Sequence, residues 1–167
     1  PREYELSIGQ AIQSELYALV DRITEENQIA DLISTMGRHF LSNPDGHVKE
    51  AALALLATQP PSSENLTALL DDGLNSHNSV LVPQLIMELQ KYKGDSDLDK
   101  IDRMIAEILK SGSLMVKQRL VKQILPLLNP RNIEKFVALA AKMPQDSSLQ
   151  KDLLANIQEF RRQHRGG

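Results

Sequence analysis

Apolar residues along this chain recur at spacings of three and four, the period of one face of an α-helix. The alternating apolar and polar runs that mark strands are nearly absent. Short clusters of Gly, Pro, Asn, Ser and Asp separate the periodic segments. The pattern therefore predicts an all-α fold. The predicted helices span about residues 8–25, 28–42, 46–58, 63–75, 80–93, 97–111, 114–128, 131–142 and 147–163.

The predicted helices also form a repeating pair. Four residues of types that favour helix N-caps recur at intervals of 34, 34 and 33 residues. They are Asp45, Ser79, Ser113 and Asp146. The positions three, seven and eight residues after each, and five and nine before, are apolar in all four copies. One pair cannot bury both apolar faces, so we expect the pairs to stack in chain order; an irregular helical bundle is the alternative.

The start of each repeat carries a family resemblance. Residues 45–52 read D-x-x-V-K-x-x-A, which resembles the opening of the second helix in HEAT-like (armadillo-type) repeats. The copy at Ser113 keeps most of this pattern, and the copy at Asp146 keeps its cap and spacing. The copy at Ser79 departs from it, because Pro83 makes that helix begin late or bend.

The resemblance implies a right-handed α-solenoid of about four helix pairs within one domain, residues 1–167. One N-terminal helix, 1–26, would precede the repeats, which span about residues 28–59, 60–94, 95–129 and 130–165. A 34-residue period also suits tetratricopeptide repeats. The chain lacks the aromatic and small-residue code of that family, since it has no Trp and three Tyr.

Residues suited to catalysis or metal binding are sparse. Without cysteine, the chain has no thiolate nucleophile, disulfide or cysteine-based metal site. The four histidines are never spaced as i, i+4 ligands, and no Gly-rich phosphate loop occurs. The acidic stretch 95–102 lacks the central Gly and terminal Glu of a calcium loop. We therefore predict a non-enzymatic protein without cofactor or metal.

Two features bear on the environment of the protein. No apolar run is long enough to span a bilayer, so we expect no membrane insertion. The Cys-free composition is compatible with the cytosol and slightly favours an extracytoplasmic, oxidising compartment, where free thiols are a liability.

Charge divides unevenly along the chain. Residues 1–90 hold four basic and thirteen acidic residues, a net charge of −9, whereas residues 91–167 hold fifteen basic and nine acidic residues, a net charge of +6. A surface of one sign steers a partner of the opposite sign and raises its association rate. A chance segregation of solvated residues is the alternative reading. The asymmetry therefore favours a binding function for the C-terminal half.

The second helices of HEAT-like pairs line the inner face of the stack, which defines candidate partner-binding residues at the C-terminal end. They are Lys117, Lys122, Lys151, Arg161, Arg162 and Arg165. We predict a protein-interaction or scaffold module that binds another protein or an acidic peptide segment there. The alternatives are binding of the phosphate backbone of nucleic acid, and a structural segment of a longer helical protein. The pI near 5.8 and the few aromatic residues count against nucleic acid.

Overall fold

The structure is a computed structural model that describes residues 2–26 and 30–165. These residues form nine α-helices and no strand, so the predicted all-α class is confirmed. Residues 1, 28 and 29, which the predicted N-terminal helix and first repeat include, lie outside the described residues. The chain divides into an N-terminal unit, Pro1–Leu81, and a C-terminal unit, Val82–Gly167.

Each unit consists of helices joined by short turns. The N-terminal unit contains α1 (Arg2–Glu26), α2 (Ala30–Leu41), α3 (Gly46–Ala57) and α4 (Ser63–Ala68). A π-helical segment (Leu69–Gly73) and two 3₁₀ turns (Leu74–Ser76 and Ser79–Leu81) follow α4. The C-terminal unit contains α5 (Val82–Leu89), α6 (Asp95–Ser111), α7 (Leu114–Gln123), a 3₁₀ turn (Leu125–Leu127), α8 (Ile133–Lys142) and α9 (Ser148–Gln163).

Helix α3 is the centre of the N-terminal unit, and both α1 and α2 pack against it. Six of its eight apolar residues are buried, and Ala54 and Ala57 on the remaining side are half-buried, as expected for a helix that is hydrophobic over most of its surface. Glycines allow both neighbours to approach closely. A Cβ on Gly9 of α1 would lie 2.5 Å from Asp45 Oδ2, and one on Gly37 of α2 would lie 2.7 Å from Leu56 Cδ2. The core of this unit therefore forms around α3.

Lys49 is the buried cation of α3 and is 8% exposed. Its Nζ donates to the carbonyl oxygen of Leu41 at 2.7 Å and to that of Asp72 at 2.9 Å. Leu41 ends α2, so its carbonyl has no partner within the helix. Desolvation lowers the pKa of Lys49, and the nearby Asp72 carboxylate opposes that shift. Lys49 thus ties α3 to the end of α2 and to the π-helical segment.

In the C-terminal unit, α7 packs against α5 and α9, while α8 packs against α6 and α9. Leu120 of α7 and Leu153 of α9 are completely buried, which confirms the predicted phase of both helices. The next apolar column is divided, because Leu53 and Val121 are fully buried whereas Met87 is 67% and Leu154 38% exposed. Met87 and Leu154 therefore face solvent rather than the core.

The predicted N-caps are confirmed in two of the four copies. Asp45 Oδ1 accepts from the amides of His47 and Val48 at 2.8 and 3.1 Å, and the Ser113 hydroxyl accepts from its third following amide at 3.4 Å. The prediction for Asp146 is wrong. Ser147 caps α9, and Asp146 precedes it with a φ of 60°.

Proline and asparagine residues explain other helix starts and ends that differ from the predicted ones. Ser79 begins a 3₁₀ turn instead of capping a helix, and Asn78 Oδ1 accepts from the Val80 amide at 3.2 Å. Helix α5 then begins late, at Val82, one residue before Pro83, as the sequence indicated. The predicted helix 114–128 ends early. Pro126 lacks an amide hydrogen and clashes with the preceding turn, so α7 stops at Gln123 and a 3₁₀ turn follows.

Candidate interaction surfaces

The predicted basic residues lie on two adjacent helices of the C-terminal unit. Lys117 and Lys122 belong to α7, and the others belong to α9 or follow it. The two helices pack together, and Asn156 Nδ2 of α9 donates to the Val121 carbonyl of α7 at 2.6 Å. We call the six predicted residues together with Arg119 the basic surface. Its scaffold is one helix pair held by apolar packing and this hydrogen bond.

Some members of the basic surface are paired with a carboxylate of this protein, and others are not. Arg161 pairs with Glu134 at 3.3 Å, and Arg162 Nε donates to Glu159 at 2.8 Å. Among the residues that the structure describes, no such carboxylate pairs with Lys122, Lys151 or Arg165, all of which are exposed. Charges without an internal partner attract an external anion most strongly. The uncompensated positive charge of the basic surface therefore comes from members without an internal partner, these three among them, rather than from the two arginines.

Arg119 is a member of this surface that the sequence reasoning missed. It is exposed and lies on α7 between Lys117, which is half-buried, and Lys122. The signal was available, because the ten residues of α7 contain these three basic residues and no acidic one. A helix with a single sign of charge cannot neutralise itself through i, i+4 pairs. Helix α7 is therefore positively charged along its length.

A polar cavity of about 340 Å³ lies elsewhere in the C-terminal unit and is lined by Asp99, Asp102, Arg103, Ala106 and Lys135. Burial raises the pKa of Asp102, while the hydrogen bond from Asn132 and the charge of Lys135 oppose this shift. The neighbouring carboxylates of α6 are engaged by Arg131, at 2.7 Å from Asp95 and 3.2 Å from Asp99.

Three of the four carboxylates in the acidic stretch 95–102 thus contact other side chains of this protein. Asp95 and Asp97 stand in the first turn of α6, where the helix dipole favours negative charge. Within residues 2–26 and 30–165, no group of three or more His, Asp or Glu side chains is arranged to hold a metal ion. The stretch therefore acts as a charged helix start.

An apolar groove of about 370 Å³ runs between α1 and α2 in the N-terminal unit. It exists because both helices pack on α3 rather than closely on each other. Its apolar lining consists of Ala11, Ile12, Leu16, Ala18, Leu19, Met36 and Phe40. Glu15 and Arg22 complete the lining from α1. Sequence periodicity does not predict this groove, since the gap depends on how two helices share a third.

No protein-family model, curated protein or solved structure matches this chain. In the part of the chain that the structure describes, no helix combines the length and apolar character needed to cross a membrane. The class of protein is therefore defined by its own features: an all-α chain with a basic surface on α7 and α9 and an apolar groove beside α1.

Proposed function

We propose that this chain is a non-catalytic protein-interaction module: a HEAT-like stack of helix pairs whose basic surface binds an acidic segment of a partner protein. The contacts within the C-terminal unit support the stacked arrangement. The second helices α5, α7 and α9 each contact the next in order, and the first helices α6 and α8 also touch. Contacts between equivalent helices of successive pairs are what a stack of repeats requires.

The observation that carries the proposal is the charge of α7 and its neighbour. Lys117, Arg119 and Lys122 occur on α7 without an acidic residue, and exposed Lys151 lies on the adjacent α9. Exposed charges of one sign on packed helices raise the association rate with a partner of opposite sign. The basic surface is therefore suited to carboxylate-rich protein segments.

A phosphate backbone is the competing ligand, and the aromatic residues argue against it. Tyr92, Phe136 and Phe160 are the aromatic residues of the C-terminal unit other than histidine, and they are 5%, 1% and 6% exposed. Proteins that bind single strands stack bases on exposed aromatic rings. This unit offers electrostatic contact to phosphates but no such stacking platform. We therefore propose a protein partner rather than nucleic acid.

The test compares two triple charge reversals. In the first, Arg119, Lys122 and Lys151 are replaced by Glu; in the control, exposed Lys100, Lys110 and Lys142 on α6 and α8 are replaced by Glu. Both variants change the net charge equally. Tagged proteins are used to capture partners from the native host with and without nuclease, and the association rate of each recovered partner is then measured against salt.

We expect the first reversal to abolish capture of a protein partner, through a lower association rate, while the control retains it. The lost interaction should survive nuclease and weaken as salt rises. Equal loss in both variants would mean that only net charge matters, and loss on nuclease treatment would replace the protein partner with nucleic acid. Circular dichroism on all three proteins checks that the helices remain.

A further inference from the structure

We infer that the groove between α1 and α2 holds α1 of a second copy of this chain, packed antiparallel about a two-fold axis. A groove between two helices receives a third helix, which lays its apolar side between them. In a two-fold arrangement each copy inserts its α1 and receives the other, so α1 and α2 of both copies form a four-helix bundle. The inference goes beyond the proposed function, because it uses no residue of the basic surface.

The side of α1 that lines the groove is one continuous stripe. Its members, called here the groove stripe, are Ala11, Ile12, Glu15, Ala18, Leu19 and Arg22. They follow one another at intervals of one, three, three, one and three residues, which places them on one side of a helix. Leu16, on another side of α1, is buried in the core formed with α3. The groove stripe is therefore the side of α1 that remains for another molecule.

The groove stripe carries one carboxylate and one guanidinium, Glu15 and Arg22. Both side chains are exposed, and among the side chains that the structure describes neither takes part in an ion pair. Ion pairs within a helix join residues three or four apart, whereas these two are seven apart and about 10 Å from each other along the axis. A helix that presents the opposite charges at the same spacing would pair with both.

A second α1 meets this requirement when it runs antiparallel. A two-fold axis that passes between positions 18 and 19 places Glu15 of each copy opposite Arg22 of the other, so two equal ion pairs form. Parallel packing would instead set Glu15 against Glu15 and Arg22 against Arg22. The charges of the groove stripe therefore favour the second copy as the occupant and fix its direction and register.

Apolar side chains surround this axis. Ala18 lies beside it, and a small side chain there allows two helices to approach closely. Ile12 and Leu19 of α1 and Met36 and Phe40 of α2 are half-buried in the groove lining. An inserted helix would cover their remaining exposed surface, which favours association. The apolar lining thus supplies the affinity, and the two ion pairs supply the orientation.

Charge reversal tests the pairing. Glu15→Arg and Arg22→Glu each turn two attractive contacts into two repulsive ones, so either variant alone should self-associate at least about tenfold more weakly than the parent. An equimolar mixture of the two should form a heterodimer, because every contact across the axis again joins opposite charges. The double variant with both changes should form a homodimer. Asp21→Arg, exposed on another side of α1, is the matched control and should associate normally in sedimentation equilibrium.

Engineered cysteines test the register, since the chain has no cysteine of its own. Ala18 lies beside the two-fold axis, so Ala18→Cys should cross-link two copies under mild oxidation. Ala11 is also exposed in the groove stripe, but it would face position 26 of the other copy. The two copies of position 11 would then lie about 22 Å apart along the axis, so Ala11→Cys should give no cross-linked dimer. Non-reducing gel electrophoresis compares the two variants.

A parent protein that stays monomeric at its highest soluble concentration would overturn the inference. Reversal variants that associate as the parent does would also overturn it, since another surface would then join the copies. Equal cross-linking of Ala11→Cys and Ala18→Cys would indicate parallel packing and reject the antiparallel register. Circular dichroism checks that each variant keeps the helices of the parent. None of these results depends on the basic surface, so they are separate from failure of the proposed function.

Discussion

Asn132 Nδ2 donates a hydrogen bond to Asp102 Oδ1 at 2.9 Å, and this contact links the turn before α8 to the middle of α6. The same amide nitrogen donates to the Leu127 carbonyl at 2.9 Å, while Asn132 Oδ1 accepts from the Asn129 amide at 2.8 Å. Asn132 is completely buried. A side chain with partners at both its nitrogen and its oxygen fixes the path of the chain between α7 and α8.

We expect Asn132→Ala to lower the free energy of unfolding by about 1–3 kcal/mol, because it leaves the Leu127 carbonyl and the Asp102 carboxylate without their donor. Urea denaturation at neutral pH measures this change. Asn75→Ala, at an exposed position, is the control and should change stability by less than about 0.5 kcal/mol. Equal stabilities of the two variants would show that the buried network contributes nothing.

Asp102 predicts a specific pH dependence of stability. Burial raises its pKa in the folded protein above the ordinary value of 3.8, so the folded state binds more protons than the unfolded state between these two values. The stability that protonated Asp102 contributes is complete below 3.8 and is lost as pH rises through the folded pKa.

Asp102→Asn should remove this dependence and leave the protein as stable as the parent, or more stable, at neutral pH. The amide oxygen of the variant still accepts from Asn132 and carries no buried charge. The urea midpoint of the variant relative to the parent should rise as pH increases from about 4 and then level off. Glu107→Gln, at an exposed position on α6, is the control. A variant that loses stability relative to the parent as pH rises would contradict the assignment.

We expect truncation of buried leucines to lower stability more than truncation of an exposed leucine. Leu120→Ala and Leu153→Ala should each cost about 2–5 kcal/mol, because both side chains are fully buried and leave cavities. Leu114→Ala, at a residue that is 60% exposed on α7, should cost about 0.5 kcal/mol or less. Thermal and urea unfolding compare the three. A Leu120→Ala protein as stable as the Leu114→Ala protein would show that Leu120 does not lie on the buried side of α7.

The start of α9 predicts opposite outcomes at adjacent residues. Ser147→Ala should cost about 0.5–2 kcal/mol, because the hydroxyl accepts from the Gln150 amide at 3.2 Å. Asp146→Gly should cost nothing measurable, since glycine adopts a φ of 60° without strain. Urea denaturation distinguishes the two variants. A larger loss of stability in Asp146→Gly than in Ser147→Ala would show that Asp146, and not Ser147, caps α9.

The candidate interaction surfaces show which features can be recognised from the sequence alone. The positive charge of α7 can be recognised from the sequence alone, because Lys117, Arg119 and Lys122 lie on one helix without an acidic residue. The pairing of Arg161 with Glu134 is not readable in that way. These two residues are 27 positions apart and meet only because α8 and α9 pack together.

For the residues that the structure describes, the sequence by itself determined the all-α class, the approximate positions of nine helices and the buried sides of α7 and α9, since helical periodicity and helix-ending residues act within one or two turns. Leu120 and Leu153 follow from that local pattern. Only the tertiary structure decided that Met87 and Leu154 face solvent and that a groove separates α1 from α2. The physical reason is that an apolar side chain is buried only where another element covers it, and which elements meet depends on contacts distant in sequence.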